Sequence, residues 1–398
     1  MTFSITQSCR VDTPDLEPLR QVGILHVCLS SSWGGLEMYP PKVCAALKRA
    51  GFTVHAIALR GSNVSEAFKD AGVPTLEFSS LLTAILSIPS ILSYVNKCQI
   101  RIIHGHKSGD MRLTSLLVQL APDRCLFFTD HIGVIKPKKD WYHRWAYSKL
   151  SRLFSISQIT YQRNLKSLPV SKHRVVQLYS GIDLNAYKGQ LHGPERNLIR
   201  AELGLPANAV LVVLPGRIAP GKGHETWVCA LSQLCKYETA SPWHAVVIGE
   251  AYGRDSSKGG YKERVQSLIL ELGLGDRVTF LGHRNDIARC LGVCEIATIP
   301  SDNEAFGFTV IESMAAGCSI IGSDAGSLPE LVGKTRGALV PPNQPKAWAK
   351  SLQELINEPG LRQRLSRDAR QWALQNFDIE KHAQSLAGYY SQVLSEGI

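Results

Sequence analysis

The sequence contains no apolar run long enough to cross a bilayer, no Cys-x-x-Cys pair, no Asp-x-Asp pair and no low-complexity tract. Each absence removes a class of function. The longest apolar stretch, Leu81 to Val95, is interrupted by Pro89 and falls short of the roughly 20 residues that a spanning helix needs. Met1 to Arg20 lack the basic start, apolar stretch and small-residue cleavage site of a secretion signal, so export is not expected. The cysteines (Cys9, Cys28, Cys44, Cys98, Cys125, Cys229, Cys235, Cys290, Cys294 and Cys318) sit mostly inside apolar runs, which suits buried thiols in a reducing cytoplasm. Without Asp-x-Asp, no paired carboxylates are at hand to hold a metal on a diphosphate, and no metal or other cofactor is expected. No zinc finger, RNA-recognition motif or basic helix is present, so nucleic acid is not an expected partner.

What is present points to two folded domains. A chain of 398 residues exceeds what one hydrophobic core usually organises. Its 44% hydrophobic and 20% charged residues are enough for each half to bury a core. The net charge of +10 is unevenly placed: residues 1–185 carry 22 Lys and Arg against 12 Asp and Glu, whereas the remainder balances at 22 and 22. A basic half suits nucleic acid, an anionic membrane surface or an acidic substrate, and charge alone does not choose among them.

Short β-branched runs alternate with longer amphipathic stretches, a βαβ rhythm. Strands are expected at Val22–Leu29, Thr53–Leu59, Arg101–His104, Leu126–Thr129, Leu153–Ser157 and Val175–Tyr179. After a Gly- and Pro-rich stretch, a second series is expected at Val210–Leu214, Ala245–Ile248, Val278–Leu281, Ile296–Ile299 and Ser319–Gly322. The fold class is α/β, with two Rossmann-like doubly wound domains facing across a cleft, where the carboxyl edges of such sheets bind ligands. The divisions are 1–183 for the first domain, 184–206 for a linker, 207–372 for the second, and 373–398 for a last helix returning to the first.

Two segments carry chemistry. Leu214-Pro215-Gly216-Arg217 and Lys222-Gly223-His224 place two cations around a glycine turn at a helix start, where backbone N–H groups and the helix dipole favour an anion such as diphosphate. A surface turn with solvated charges is the plainer alternative. In Pro300 to Gly317, Glu304 falls in a loop after a strand, Gly307 opens a helix, and Glu312 follows about one turn in. The amides near Phe308 and Thr309 can face a phosphate, Glu304 can accept from sugar hydroxyls, and Glu312 from a ribose diol.

Glu304 and Glu312 in this setting resemble the E-x7-E signature of the retaining GT-B transferases, family four of the glycosyltransferases. Gly216-Arg217 with Lys222-Gly223 resembles that family's donor-phosphate motif, and Gly34-Gly35-Leu36-Glu37 its Gly-Gly loop. Ser323-Asp324 to Glu330, then Gly337-Ala338-Leu339-Val340-Pro341-Pro342, resemble its ending of the second sheet. The likeness runs from about Val22 to about Tyr390.

The resemblance implies roles. Arg217 and Lys222 would neutralise the diphosphate leaving group, Glu304 would hold the transferred sugar and Glu312 the ribose, with Gly307, Phe308 and Thr309 at the phosphate. Gly34 and Gly35 would offer backbone to the phosphate. His131, in Thr129-Asp130-His131-Ile132-Gly133, would stand near the reacting sugar, or else simply end a strand. His283 and Ile287 would cradle the base. Pro40-Pro41 departs from the family pattern; because proline is tolerated in a first helical turn, the helix after the Gly-Gly loop is expected to start later and the loop to be longer.

The implied activity is transfer of a sugar, with retention, from a UDP- or GDP-type nucleotide sugar to a glycan or lipid-linked acceptor in lipopolysaccharide or polysaccharide synthesis. A sugar-nucleotide epimerase on the same scaffold is the alternative. For a lipid-linked acceptor, the cytoplasmic face of the inner membrane is the expected place. The expected docking segment is Lys136 to Trp145, where Lys136, Lys138, Lys139 and Arg144 accompany Trp141 and Trp145 one helical turn apart. Both tryptophans would instead face the sheet if the segment is only structural.

Overall fold

The structure is a computed structural model that describes residues 15–134, 136–251 and 260–396. Cys9 lies outside the described residues. In the first unit, seven short strands pair in parallel: β1 Gly23–Cys28, β2 Thr53–Leu59, β3 Thr75–Phe78, β4 Ile100–Gly105, β5 Cys125–Asp130, β6 Leu150–Ser155 and β7 Val175–Gln177. Their order is β3-β2-β1-β4-β5-β6-β7. β1 and β5 are buried at every position, which is why they read as continuous apolar runs rather than alternating ones. The strand order reverses between β1 and β4, and the loops leaving their carboxyl ends diverge there.

The second unit repeats the scheme with β8 Val210–Pro215, β9 Trp243–Ile248, β10 Val278–Phe280, β11 Ile296–Ile299, β12 Ser319–Ser323 and β13 Gly337–Val340, in the order β10-β9-β8-β11-β12-β13. Trp227 and Trp348 are wholly buried in its core. Burying a side chain of that size contributes on the order of 2–3 kcal/mol.

The units comprise residues 1–181 with 379–398, and 182–378. Residues 184–206, read from the sequence as a linker, are therefore part of the second unit. The reason is Arg200 on the helix Gly193–Glu202, which is wholly buried. It bonds both Glu295 carboxylate oxygens at 2.7 and 2.8 Å and the carbonyls of Val293 and Ala209. The last helix begins at Ile379 rather than 373, because Pro359–Asn376 forms a separate helix of the second unit. Ile379–Ser395 packs on the helix Gly35–Arg49 of the first unit, with the Tyr39 hydroxyl 2.6 Å from His382 Nε2.

The helix after β1 corrects the expectation drawn from Pro40-Pro41. It starts at Gly35 and carries both prolines inside it. Neither proline has an N–H, so the carbonyls of Leu36 and Glu37 lose their intrahelical donors. An interior proline costs about 3 kcal/mol. Burial offsets this cost: Tyr39, Pro40, Pro41, Val43 and Cys44 are all buried in the helix's packed face.

Candidate functional site

Because β8, β9, β11 and β12 run in parallel, the loops that follow them gather on one edge of the second sheet. Gly223, with φ +78°, caps the helix His224–Leu234. A Cβ there would stand 2.1 Å from the Pro300 carbonyl oxygen, so only glycine lets the β8 and β11 loops touch. The Asp302 amide donates to the Gly221 carbonyl at 2.9 Å. Lys222 Nζ then donates to Glu304 Oε1 at 2.5 Å, and Ser301 Oγ donates to the same oxygen at 2.8 Å. Glu304 Oε2 has no partner among the described residues. From behind, Gly326 abuts the Glu304 backbone, where a Cβ would come within 2.5 Å of its nitrogen.

Arg217 is exposed and bonds to no described residue. The neighbouring Gly216 faces Thr309, whose Cγ2 lies 3.4 Å from the position of an added Cβ. Thr309 belongs to the first turn of the helix Phe308–Ala315, capped by Gly307 at φ +94° without a side-chain cap. The first-turn amides of Phe308 and Thr309 thus remain open donors next to the Gly216-Arg217 segment, an arrangement that suits an anion.

Glu312, farther along that helix, faces the Tyr187 hydroxyl; burial first, then the Glu312 charge, pushes the Tyr187 pKa up. Arg370 holds this segment by donating to the carbonyls of Tyr187 and Ala315. His283 is exposed in the loop after β10 and Ile287 begins the next helix. That loop joins the others through Gly249 N to Gly282 O at 2.9 Å and Ile218 N to Glu250 O at 3.1 Å. Arg217, Lys222, Glu304, Gly307, Phe308, Thr309, Glu312, His283 and Ile287 therefore share one edge of the second sheet.

Gly34, Gly35 and His131 stand on the carboxyl edge of the first sheet. Gly34 caps the helix that starts at Gly35, again without a side-chain cap. Glu37 in its first turn is buried and accepts from Ser30 Oγ at 2.8 Å. Asp110 accepts from the Leu29 amide at 3.2 Å and the Lys107 amide at 2.9 Å. Burial raises the Asp110 pKa to about 7 against the pull of those amides. His131, just after β5, is buried with its Nε2 3.4 Å from His106 Nδ1. Burial lowers its pKa to about 3, so the ring is neutral at ordinary pH. Asp110, His106 and Tyr187 escaped the sequence reading because each acts through contacts far along the chain; only the repeated His104-x-His106 hinted at them.

Residues 33–186 match the model described as Glycosyltransferase Family 4, and residues 195–372 match Glycosyl transferases group 1. The chain belongs to glycosyltransferase family four. The lipopolysaccharide core biosynthesis mannosyltransferase LpcC of Rhizobium leguminosarum bv. viciae is 27% identical over 304 residues, covering 74% of this chain and 79% of that protein. The D-inositol 3-phosphate glycosyltransferase of Jonesia denitrificans is 32% identical over 216 residues, 53% of this chain and 50% of that one. The chain spans about half the length of the inositol phosphate glycosyltransferases that it matches. The glycosyltransferase from Rickettsia africae ESF-5 has a TM-score of 0.84 at 21% identity, over 94% of this chain and 99% of that one. The Anabaena protein HepE in complex with UDP and glucose has a TM-score of 0.78 at 21% identity, over 92% and 98%. This family-four chain has the α/β GT-B fold. Among its described residues, no helix is long and apolar enough to cross a membrane.

Proposed function

We propose that this family-four protein transfers a sugar from a UDP- or GDP-type nucleotide sugar to a hydroxyl of a glycan or lipid-linked glycan, with retention and without a metal or other cofactor. The observation that carries the reading is the Lys222–Glu304 pair on the same sheet edge as the open Phe308 and Thr309 amides, with the Gly216-Arg217 segment lying against Thr309. When the bond between the anomeric carbon and the phosphate oxygen breaks, the electron pair leaves with the diphosphate. Preorganised donors at that oxygen act mostly in the transition state. Arg217, Lys222 and the amides supply them. Glu304 Oε2 accepts from a hydroxyl of the transferred sugar and Glu312 from the ribose. The acceptor hydroxyl attacks on the face the phosphate leaves, and its proton passes to a phosphate oxygen.

The acceptor reading rests on the charge of the first half and on the segment after β5. Trp141 is 81% exposed and Ile132 62%, while Trp145 is half-buried against the core, so the two tryptophans divide between the two readings of that segment. Lys136, Lys139 and Arg144 are exposed around Trp141, and Lys138 donates to Ser108 Oγ. Such a cluster suits an anionic lipid surface on the cytoplasmic face of the inner membrane.

The nucleotide reading is tested by thermal shift with uridine, UDP, guanosine and GDP. A ligand at about 100 times its Kd stabilises by about 2.7 kcal/mol. One diphosphate should raise Tm while its nucleoside does not, and Arg217→Ala should remove the difference. Equal shifts by nucleoside and diphosphate would exclude a phosphate site at Arg217.

A further inference from the structure

Lys222 and Glu304 lie where the strands of the second sheet end. At the opposite edge, where those strands begin, the same unit holds a separate cavity of about 250 Å³. Glu295, the residue before β11, and Ser319, the first residue of β12, line it together with Gln190, His192, Arg196 and Arg362. Sites for drug-sized ligands run from about 300 to 1,000 Å³, so this space suits something smaller than a nucleotide sugar.

Its charge is unbalanced. Arg200, wholly buried, bonds both Glu295 oxygens at 2.7 and 2.8 Å, and the Leu211 amide donates to Oε2 at 2.8 Å. Glu295 is therefore neutralised before Arg196 is counted. Arg196 Nη2 nevertheless reaches Oε1 at 2.8 Å, and its Nη1 finds only the Ala207 carbonyl at 3.3 Å. Arg362 has no carboxylate partner among the described residues. Its Nη1 donates to the Leu355 and Ile356 carbonyls at 2.6 and 3.3 Å, at the end of the helix Pro345–Asn357, while Nε and Nη2 donate to no described residue. Burial lowers the Arg362 pKa against the pull of Glu295, as expected for a guanidinium short of counter-charge.

Three guanidinium groups against one carboxylate leave two positive charges at this edge. The helix Gly193–Glu202 starts here as well, and its N-cap, His192, supplies no side-chain acceptor to the first amides. Glu195 in that turn is exposed and does not line the cavity. Surplus positive charge excludes a metal ion and favours an oxyanion, whose oxygens the planar guanidinium fork matches two at a time. Arg196 can turn to such a ligand without orphaning Glu295, because Arg200 keeps both carboxylate oxygens.

We propose that this cavity is a second anion site, in which Arg196 and Arg362 hold a small dianionic phosphate, free or as a phosphomonoester, at the amino edge of the second sheet. It is independent of the donor reading, since none of its residues belongs to the Arg217–Glu304 edge.

The test is titration calorimetry of the full chain with inorganic phosphate and with glycerol phosphate, sodium chloride holding the ionic strength constant. An Arg217→Ala, Lys222→Ala background removes the cations of the other edge. One phosphate per chain should still bind there, and adding Arg196→Gln should weaken binding about tenfold or more, the loss of one charge-assisted contact. Arg362→Gln should do the same; if it unfolds the chain by freeing the helix end, Arg196→Gln decides alone. Tighter glycerol phosphate would assign the site to a phosphomonoester, and tighter inorganic phosphate to the free ion. No binding of either at millimolar concentration, an unchanged affinity in folded Arg196→Gln, or binding that the background variant abolishes would each overturn the proposal.

Discussion

Lys222 and Glu304 stand 82 positions apart and share a hydrogen bond, Nζ to Oε1 at 2.5 Å. Lys222 and Ser301 both occupy Oε1, so Oε2 is the atom left to receive a ligand. Glu304→Ala should therefore abolish transfer. Stability should change by no more than about 1 kcal/mol, because Lys222 is 32% exposed and can be solvated without its partner. Circular dichroism and donor turnover measured together check this. Loss of structure in parallel with activity would make Glu304 a structural residue.

Arg217 bonds to no described residue and the sequence has no Asp-x-Asp, so the charge that develops on the diphosphate is expected to be met by the chain itself. Turnover should survive excess EDTA. Arg217→Ala should lower kcat on the order of 10²–10³-fold, as for other preorganised donors at a developing oxyanion. Complete loss in EDTA, restored by magnesium or manganese, would contradict the metal-free reading.

The buried histidines make the first unit sensitive to acid. Burial lowers His26 and His131 to about 3 and His382 to about 4, and holds His104 and His106 well below their ordinary 6.5. As pH falls below 6.5, the unfolded chain takes up protons that the folded chain refuses. The stabilisation is complete above 6.5 and declines toward 3, by up to about 1.4 kcal/mol per pH unit for each histidine. Asp110 works the other way. Raised to about 7, it binds a proton in the folded state before the unfolded one does, and offsets about one histidine. Urea unfolding at pH 7.5, 6 and 5 should show a steep fall in midpoint. A flat profile would mean that these rings are charged or exposed.

The strands were legible because each is local, and so were the two segments around Lys222 and Glu304 that the structure brings together. β2 and β11 follow directly from Thr53–Leu59 and Ile296–Ile299. β3, Thr75–Phe78, was passed over: it is an edge strand, only half-buried, and Glu77 interrupts its apolar character. The helix through Pro40-Pro41 was misplaced because local proline rules cannot register the tertiary burial that overrides them. The buried contact of His26 with His106 depends on pairing β1 with β4, a contact across about 80 residues that no local pattern announces.

The exposed Trp141 and the lysines around it predict sedimentation with anionic but not neutral vesicles at low salt. Each basic residue near such a surface contributes about 1 kcal/mol, screened as salt rises. Trp141→Ala should weaken binding, and high salt should abolish it. Equal sedimentation with both vesicle types, or none with either, would leave the basic first half to a soluble acidic acceptor.

The central claim is sugar transfer from a nucleotide donor, and proton NMR of donor turnover tests it most directly. Incubation with UDP- and GDP-sugars and a membrane-lipid or lipopolysaccharide acceptor fraction should release one nucleoside diphosphate and give a product whose anomeric coupling matches the donor's. An inverted anomer would contradict retention. Conversion of the donor into its epimer, with the diphosphate still attached, would contradict transfer itself.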